Sequence, residues 1–141
     1  MPTEIHLPLA GEDDMIIVRQ RARVVAGALG FGAVDQSRIA TAVSELARNV
    51  LRYADGGRGA VVIREVTTDQ GGRGIEIVVS DTGPGIADVE LVMREGYTSG
   101  RGLGMGLPGA KRLMDEMVMD SALGRGTVIT VRKWRRSGGH G

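Results

Sequence analysis

The sequence predicts an α+β fold, a two-layer sandwich in which a mixed, mostly antiparallel sheet carries about three helices on one face. Two observations lead to this prediction. Apolar residues recur at helical spacing in separate segments, and β-rich runs lie in pairs joined by short glycine-rich turns, as in hairpins. The chain has 141 residues. We therefore expect one domain over residues 1–141, with residues 136–141 as a disordered tail.

The chain is predicted to begin with an edge strand and a helix. Residues 5–9 alternate between apolar and other side chains, and Pro8 favours the edge of a sheet because it removes a backbone donor. Asp13 and Asp14 are predicted to cap the helix that follows, and Gly30 to end it. The predicted buried stripe of this helix is Met15, Val18, Ala22, Val25 and Leu29.

A second helix follows directly. Asp35 is its predicted N-terminal cap, and Gly56 with Gly57 is the predicted stop. Apolar residues at helical spacing predict which face of this helix is buried. They are Ile39, Val43, Leu46, Val50 and Tyr53.

The second half of the chain is predicted to hold two hairpins separated by a long irregular segment and a helix. Residues 81–104 show little regular pattern apart from a short helix over 89–94, and a loop this long inside a compact domain is usually functional. The predicted regular elements are strands over 60–68 and 75–80, a third helix over 107–117, and strands over 118–123 and 127–134.

Composition excludes several classes of function. The formal net charge is +1, so no overall field favours nucleic acid or a membrane surface. The basic run at residues 132–136 is interpreted as a solvated strand edge. Cysteine is absent, which excludes disulfides and thiolate metal sites. No apolar run approaches the roughly 20 residues of a membrane helix, and no signal pattern is present. We expect a cytoplasmic protein.

The first pair of residues that could carry chemistry lies on the second helix. Glu45 and Asn49 are four residues apart, so their side chains lie on the same face, beside the buried stripe. A carboxylate and an amide side by side can hold a hard cation through oxygen and can accept a proton. Taken alone, the pair is also what a solvated polar face contains.

A second group follows a buried strand. Asp81 ends the predicted strand, and Gly83 and Gly85 in the stretch up to Ile86 allow the backbone to turn sharply against a flat ligand. A carboxylate in this position can accept a hydrogen bond from an amino group such as adenine N6. An ordinary turn begun by aspartate explains the same residues equally well.

The third group is a run of alternating glycines before the third helix. Gly102, Gly104 and Gly106 precede Pro108, which suits a first helical turn. Exposed amide groups at a helix N-terminus bind anions, so this run predicts a phosphate site; a flexible loop closed by a cap is the alternative. Residues 104–109 also match the dinucleotide pattern, but the strand and parallel unit that this pattern requires are not predicted here.

Together these groups resemble the GHKL, or Bergerat-fold, ATPases and kinases. Glu45 and Asn49 match the N box of that family, and Asp81, Gly83 and Gly85 match its first glycine box. The second glycine box is matched by Gly102, Gly104, Gly106 and Leu107, and the closing Gly-Thr element by Gly126 and Thr127. Within the family, residues 42–49 and 106–115 are most similar to the RsbT-type serine/threonine switch kinases.

The resemblance implies a role for each matched position. Glu45 would be the catalytic base, Asn49 would coordinate Mg²⁺, and Asp81 would bind the adenine amino group with Thr127 beside it. Residues 88–101 would form a lid over ATP. The implied nucleotide-binding positions are Asn49, Asp81, Gly83, Gly85, Ile86, Gly102, Leu103, Gly104, Met105, Gly106, Leu107 and Thr127. The cofactors would be ATP and Mg²⁺.

The same resemblance implies the partners. A kinase of this type phosphorylates a small STAS-domain antagonist protein in a stress-response pathway, and once released it activates a phosphatase of the PP2C type. Two alternatives stay open: an anti-sigma factor of the same fold that sequesters a sigma subunit, and a module that binds ATP without transferring phosphate. Glu45 argues against the second, because a binding-only domain has little use for a base.

Overall fold

The computed structural model describes residues 4–53, 58–81, 106–122 and 126–135. The predicted α+β class is confirmed: the helices lie on one face of a five-stranded sheet. Within the described residues the elements are β1 (Glu4–Leu9), α1 (Glu12–Ala28), α2 (Ala33–Tyr53), β2 (Gly59–Thr67), β3 (Arg73–Asp81), α3 (Gly106–Leu113), β4 (Glu116–Ala122) and β5 (Gly126–Trp134).

The sheet has the strand order β1-β2-β3-β5-β4, and every pairing between the described strands is antiparallel. β1 lies at one edge, as its proline predicts, and β4 lies at the other. Alternate residues of β3 face opposite sides of the sheet. Ile75, Ile77 and Val79 belong to the core, whereas Glu76 and Val78 lie on the face opposite the described helices.

The core lies between the helices and the sheet, and it is aliphatic. Four of the five residues of the predicted stripe of α2 are buried there, whereas the side chain of Tyr53 lies outside the described residues. α3 packs against α2 and contributes Leu107 and Ala110 to the same cluster. The helix layer therefore forms one continuous interior with the sheet. No helix among the described residues is long and apolar enough to cross a membrane.

The ends of two helices differ from the prediction. The N-cap of α1 is Gly11, not Asp13 or Asp14, because the backbone already becomes helical at Glu12. Asp14 instead accepts a hydrogen bond from the Ala10 amide through Oδ2, at 2.8 Å.

Asp35 likewise lies within the first turn of α2, which begins at Ala33, rather than capping it. The stop predicted at Gly56 and Gly57 lies outside the described residues, as does the short helix predicted over 89–94. Gly30 does follow the end of α1, with a φ of 96° that glycine adopts readily.

The third helix is shorter than predicted. It ends at Leu113 instead of residue 117, and β4 already begins at Glu116. The Asp115 amide donates to the Arg132 carbonyl at 2.9 Å, so the chain joins the sheet where the helical pattern would continue. Lys133 secures this end of α3, because its buried ammonium donates to the Leu113 carbonyl at 2.9 Å and lies 3.6 Å from Asp115 Oδ1.

The face of the sheet opposite the three described helices carries a row of alternating charges across all five described strands. At its centre, Glu76 accepts hydrogen bonds from Arg64 Nε at 2.6 Å and Arg132 Nε at 2.7 Å. Glu4 and Glu116 end the row, each with a carboxylate oxygen 3.5 Å from the arginine beside it. Burial alone would raise the pKa of Glu76, but the two guanidinium groups outweigh that effect and hold the pKa below its ordinary value.

Candidate functional site

Asp81 and Thr127 lie directly opposite each other where β3 ends and β5 begins. Both point to the helix-covered side of the sheet, since Asp81 alternates in step with the core residue Val79 and Thr127 with the core residue Ile129. Cβ atoms of directly opposed residues are about 4.5–5.5 Å apart in an antiparallel pair. The sheet therefore brings a carboxylate and a hydroxyl together at one end of two adjacent inner strands, β3 and β5.

Asp81 and Thr127 begin a row of residues that lie side by side on neighbouring strands, here called the Asp81 row. Ser121 extends this row onto β4. It lies opposite Thr127 on the other side of β5, and the two hydroxyl oxygens are 2.8 Å apart. The Ser121 hydroxyl also donates to the Gly126 carbonyl at 3.1 Å. Thr127 is buried, so its hydroxyl is hydrogen-bonded to the Ser121 hydroxyl and not to bulk water. The row now contains three polar side chains from three adjacent strands.

Gly59 supplies the fourth member of the row and explains how α2 reaches this end of the sheet. It pairs with Asp81 across β2 and β3. A Cβ atom at this position would overlap the Ser80 carbonyl oxygen and would lie 2.8 Å from Val50 Cγ1. Glycine is required for this close approach, which places the turn of α2 that contains Asn49 and Val50 against the end of β3.

Glu45 and Asn49 lie on the helix that covers this end of the sheet. The Glu45 side chain is 13% exposed, and its carboxylate accepts a hydrogen bond from Arg48 Nη1 at 2.6 Å. Arg48 is thus engaged with the predicted base. Asn49 is half-buried. An oriented carboxylate and a neighbouring amide on one helix can act on a proton and on a cation, respectively.

The start of α3 forms the remaining described part of the site. α3 packs against α2, the helix that carries Glu45 and Asn49. Gly106 has a positive φ of 35°, which favours glycine at the entry to the helix, and Leu107 is buried directly after it. The amide groups of this first turn have no carbonyl partner within the helix, so this end can bind an anion.

Seven of the sequence-predicted binding positions lie outside the described residues. They are Gly83, Gly85, Ile86, Gly102, Leu103, Gly104 and Met105. The predicted lid over residues 88–101 is outside them too. The described part of the site thus consists of the Asp81 row on the sheet, the Glu45 turn on α2 and the start of α3.

A comparison with protein-family models identifies the family of the chain. Residues 34–137 match the family described as histidine kinase-, DNA gyrase B-, and HSP90-like ATPase. The chain belongs to this family. The match begins in α2 and extends beyond β5, so it includes every described element that contributes to the site. The predicted GHKL membership and the expected binding of ATP are confirmed at the level of the family.

Similarity to individual proteins indicates the class of enzyme within this family. The chain is 51% identical over 125 residues to serine/threonine-protein kinase RsbT of Bacillus subtilis, which covers 89% of this chain and 92% of that protein. It is 35% identical over 100 residues to an anti-sigma F factor of Caldanaerobacter subterraneus subsp. tengcongensis, covering 68% of each chain. The predicted enzyme class, an ATP-dependent serine/threonine protein kinase, is confirmed by the first similarity together with the family model.

A solved structure supports the fold alone. The structure of the mycobacterial sensor histidine kinase MprB superposes with a TM-score of 0.57 at 24% sequence identity, covering 94% of this chain and 99% of that one. The shared architecture agrees with the α+β sandwich described above.

Two members of the site were missed by sequence reasoning. Arg48 follows Glu45 by three residues, a spacing that places two side chains on one helical face and predicts an ion pair. Ser121 precedes Thr127 by six residues across the last hairpin. A hairpin register centred on residues 123–125 would have placed the two hydroxyl groups opposite each other.

Proposed function

We propose that this protein transfers the γ-phosphate of Mg-ATP to a serine or threonine of a STAS-domain antagonist protein in a partner-switching stress-response pathway. Once released from that complex, the kinase activates a phosphatase of the PP2C type. The observation that carries the proposal is the position of Asp81 opposite Thr127 at the end of the sheet, below the turn of α2 that holds Asn49. The 51% identity to a serine/threonine-protein kinase supports it.

The nucleotide is recognised at both of its ends. Asp81 accepts a hydrogen bond from the adenine amino group, and Thr127 lies beside that contact. The glycine-rich approach to α3 and the exposed amides of its first turn hold the phosphates, with Leu107 fixing the turn in the core. The positions proposed to complete the pocket are Gly83, Gly85, Ile86, Gly102, Leu103, Gly104 and Met105.

Asn49 is the proposed protein ligand of Mg²⁺. Its amide oxygen is the kind of ligand that Mg²⁺ accepts, and Mg²⁺ is usually bound by one or two protein oxygens together with substrate phosphates. The bound cation would neutralise charge that develops on the phosphates during transfer. A half-buried amide next to the packed Val50 turn fits this role, because α2 holds it in place.

Glu45 takes the proton during transfer. The acceptor hydroxyl oxygen forms a bond to the γ-phosphorus, the bond from that phosphorus to the bridging oxygen breaks, and the hydroxyl proton passes to the Glu45 carboxylate. ADP leaves with the bridging oxygen. Arg48 holds the carboxylate in one orientation on the helix, at 2.6 Å.

Transfer of radiolabel from γ-labelled ATP to a purified STAS-domain protein tests the proposal directly. The labelled product is expected only with an intact Glu45, on a serine or threonine of the partner. Hydrolysis of the labelled protein to phosphoamino acids shows whether the acceptor residue is a serine or a threonine. Absence of label on every STAS-domain protein tested, with ATP binding intact, would contradict the proposed substrate.

Sequestration of a sigma subunit is the second candidate function. The 35% identity to an anti-sigma F factor favours it. Pull-down with the purified chain separates the two, because a kinase of the proposed type retains a STAS-domain protein and leaves a sigma factor in solution. Retention of the sigma factor instead would favour sequestration.

We further propose that residues 1–141 act as one ATP-binding kinase domain in the cytoplasm, where ATP and the protein partners are present. A nucleic-acid partner is not part of the proposal, since the net charge is +1.

A further inference from the structure

Ser121 and Thr127 form a hydrogen bond whose direction matters for the base that Asp81 recognises. A serine hydroxyl has one proton to donate and lone pairs with which to accept. The Gly126 carbonyl can only accept, and the Ser121 hydroxyl donates to it at 3.1 Å. Either hydroxyl could donate in the 2.8 Å contact between the two groups. With the Ser121 proton on the Gly126 carbonyl, the donor in that contact is Thr127, and Ser121 Oγ accepts.

This direction leaves the Thr127 oxygen as an acceptor. Thr127 is buried, and its only hydroxyl proton is committed to Ser121. Directly opposite on β3 is Asp81, whose carboxylate oxygens are also acceptors. Two neighbouring acceptors are complementary to an exocyclic amino group, which offers two hydrogens. They repel a carbonyl oxygen in the same place, because that oxygen has no hydrogen to offer.

We propose that Ser121 is a positioning residue that sets the preference of the site for adenine over purines with a carbonyl at C6. It acts through Thr127 by holding that hydroxyl as a donor toward β4, so that its oxygen accepts beside Asp81. The inference rests on the proposed nucleotide site and adds the residue that determines which base the site selects.

Loss of the Ser121 hydroxyl would free the Thr127 proton. Thr127 could then rotate and donate to a carbonyl at C6, so that the site would accept either kind of purine. The matched variants are Ser121→Thr, which retains a hydroxyl, and Ser121→Val, in which valine has nearly the shape of threonine but no hydroxyl. Both residues favour strands, so both variants are compatible with β4. Ser80→Ala is the control, because Ser80 lies between Val79 and Asp81 on β3 and its side chain is therefore on the opposite face of the sheet.

The experiment measures dissociation constants of the full chain for ATP and ITP, which differ by the amino group and the carbonyl at C6. The unmodified protein, Ser121→Thr and Ser80→Ala are expected to prefer ATP. Ser121→Val is expected to lower the ITP-to-ATP ratio of dissociation constants about tenfold, the effect of one hydrogen bond. Ser121→Ala repeats the measurement with a smaller side chain should Ser121→Val fail to fold.

The possible results separate this inference from the proposed function. No saturable ATP binding by the unmodified protein would overturn the proposed function itself. ATP binding without a preference over ITP, or an unchanged ratio in folded Ser121→Val or Ser121→Ala, would overturn only the role of Ser121. A lowered ratio in Ser121→Thr as well would show that shape, not the hydroxyl, controls the preference, and would also contradict the inference.

Discussion

The guanidinium of Arg48 lies 2.6 Å from the carboxylate of Glu45, one turn earlier on α2. The Glu45 side chain is mostly buried, whereas that of Arg48 is nearly half exposed, so the pair reaches from the core boundary to the surface. A contact of this kind fixes the orientation of the carboxylate without removing it from reach of an incoming protein. Because of this contact, a test of proton transfer by Glu45 requires a substitution that preserves the hydrogen bond from Arg48.

Glu45→Gln should abolish transfer with little effect on folding. The glutamine side chain keeps an oxygen that can accept from Arg48, so we expect a loss of less than about 1 kcal/mol in the free energy of unfolding. The rate of transfer should fall by about 10²–10⁴, because the amide cannot take the hydroxyl proton. Single-turnover transfer of labelled phosphate and urea unfolding measure the two effects. Glu45→Ala should likewise retain ATP, and normal transfer by either variant would show that Glu45 is not the base.

Asn49→Ala should weaken ATP binding only when Mg²⁺ is present. If the amide oxygen is a ligand of the cation, its removal should raise the dissociation constant of Mg-ATP about tenfold. Calorimetric titration with Mg²⁺ and again with excess EDTA separates the two contributions. An equal loss of affinity under both conditions would mean that Asn49 contacts the nucleotide or supports α2 instead of the cation.

Glu76→Gln should destabilise the fold at neutral pH by about 2 kcal/mol, since it weakens two charge-assisted hydrogen bonds to a carboxylate that is 2% exposed. The folded pKa of Glu76 lies below its ordinary value of 4.5. The stabilisation is therefore fully present above that value and is lost as pH falls through the lower, folded pKa. The difference in unfolding free energy between the unmodified protein and Glu76→Gln should shrink in the same acidic window.

Glu65→Gln is the matched control for Glu76. Glu65 pairs with Arg73 at 2.7 Å, but both side chains are substantially exposed, so we expect a loss below about 1 kcal/mol. Urea unfolding of both variants between neutral and acidic pH gives the comparison. Equal losses at neutral pH would show that burial of the central carboxylate adds nothing.

Gly59→Ala should destabilise the protein by about 2–3 kcal/mol and weaken ATP binding, because a methyl group there must separate β2 from Val50 and the Ser80 carbonyl. Gly27→Ala is the contrasting change. A Cβ at Gly27, inside α1, would lie 3.4 Å from Gln36 Nε2, an ordinary contact, and alanine should stabilise the helix by about 0.5–1 kcal/mol. Thermal unfolding ranks the two, and similar effects would show that Gly59 is not needed for close approach.

Local pattern predicted most of the fold. The spacing of Ile39, Val43 and Leu46 predicted the buried face of α2, and alternation of apolar with other residues predicted the strands. Both the helical and the strand period follow from backbone geometry alone. The predicted end of α3 was wrong. Met114 and Met117 continue a helical pattern in the sequence, but the hydrogen bond from the Asp115 amide to β5 diverts the chain into the sheet. Competition with a distant strand cannot be read from a local period.

The arrangement of the site depended on pairing between distant parts of the chain. β5 lies between β3 and β4, and this order places Thr127 between Asp81 and Ser121. The resemblance matched Asp81 and Thr127 to one site, but the residues themselves gave no register for Ser121. The buried position of Glu76 between two arginines required the same strand order, because 56 residues separate it from Arg132.

The central claim is that Asp81 marks the adenine end of an ATP site, and calorimetric titration of Mg-ATP into the unmodified protein and Asp81→Asn tests it most directly. Asparagine has nearly the same shape but can present an amide donor, so we expect saturable binding by the unmodified protein and a loss of at least about tenfold in Asp81→Asn. Unchanged affinity in folded Asp81→Asn, or no saturable binding by the unmodified protein, would contradict the account.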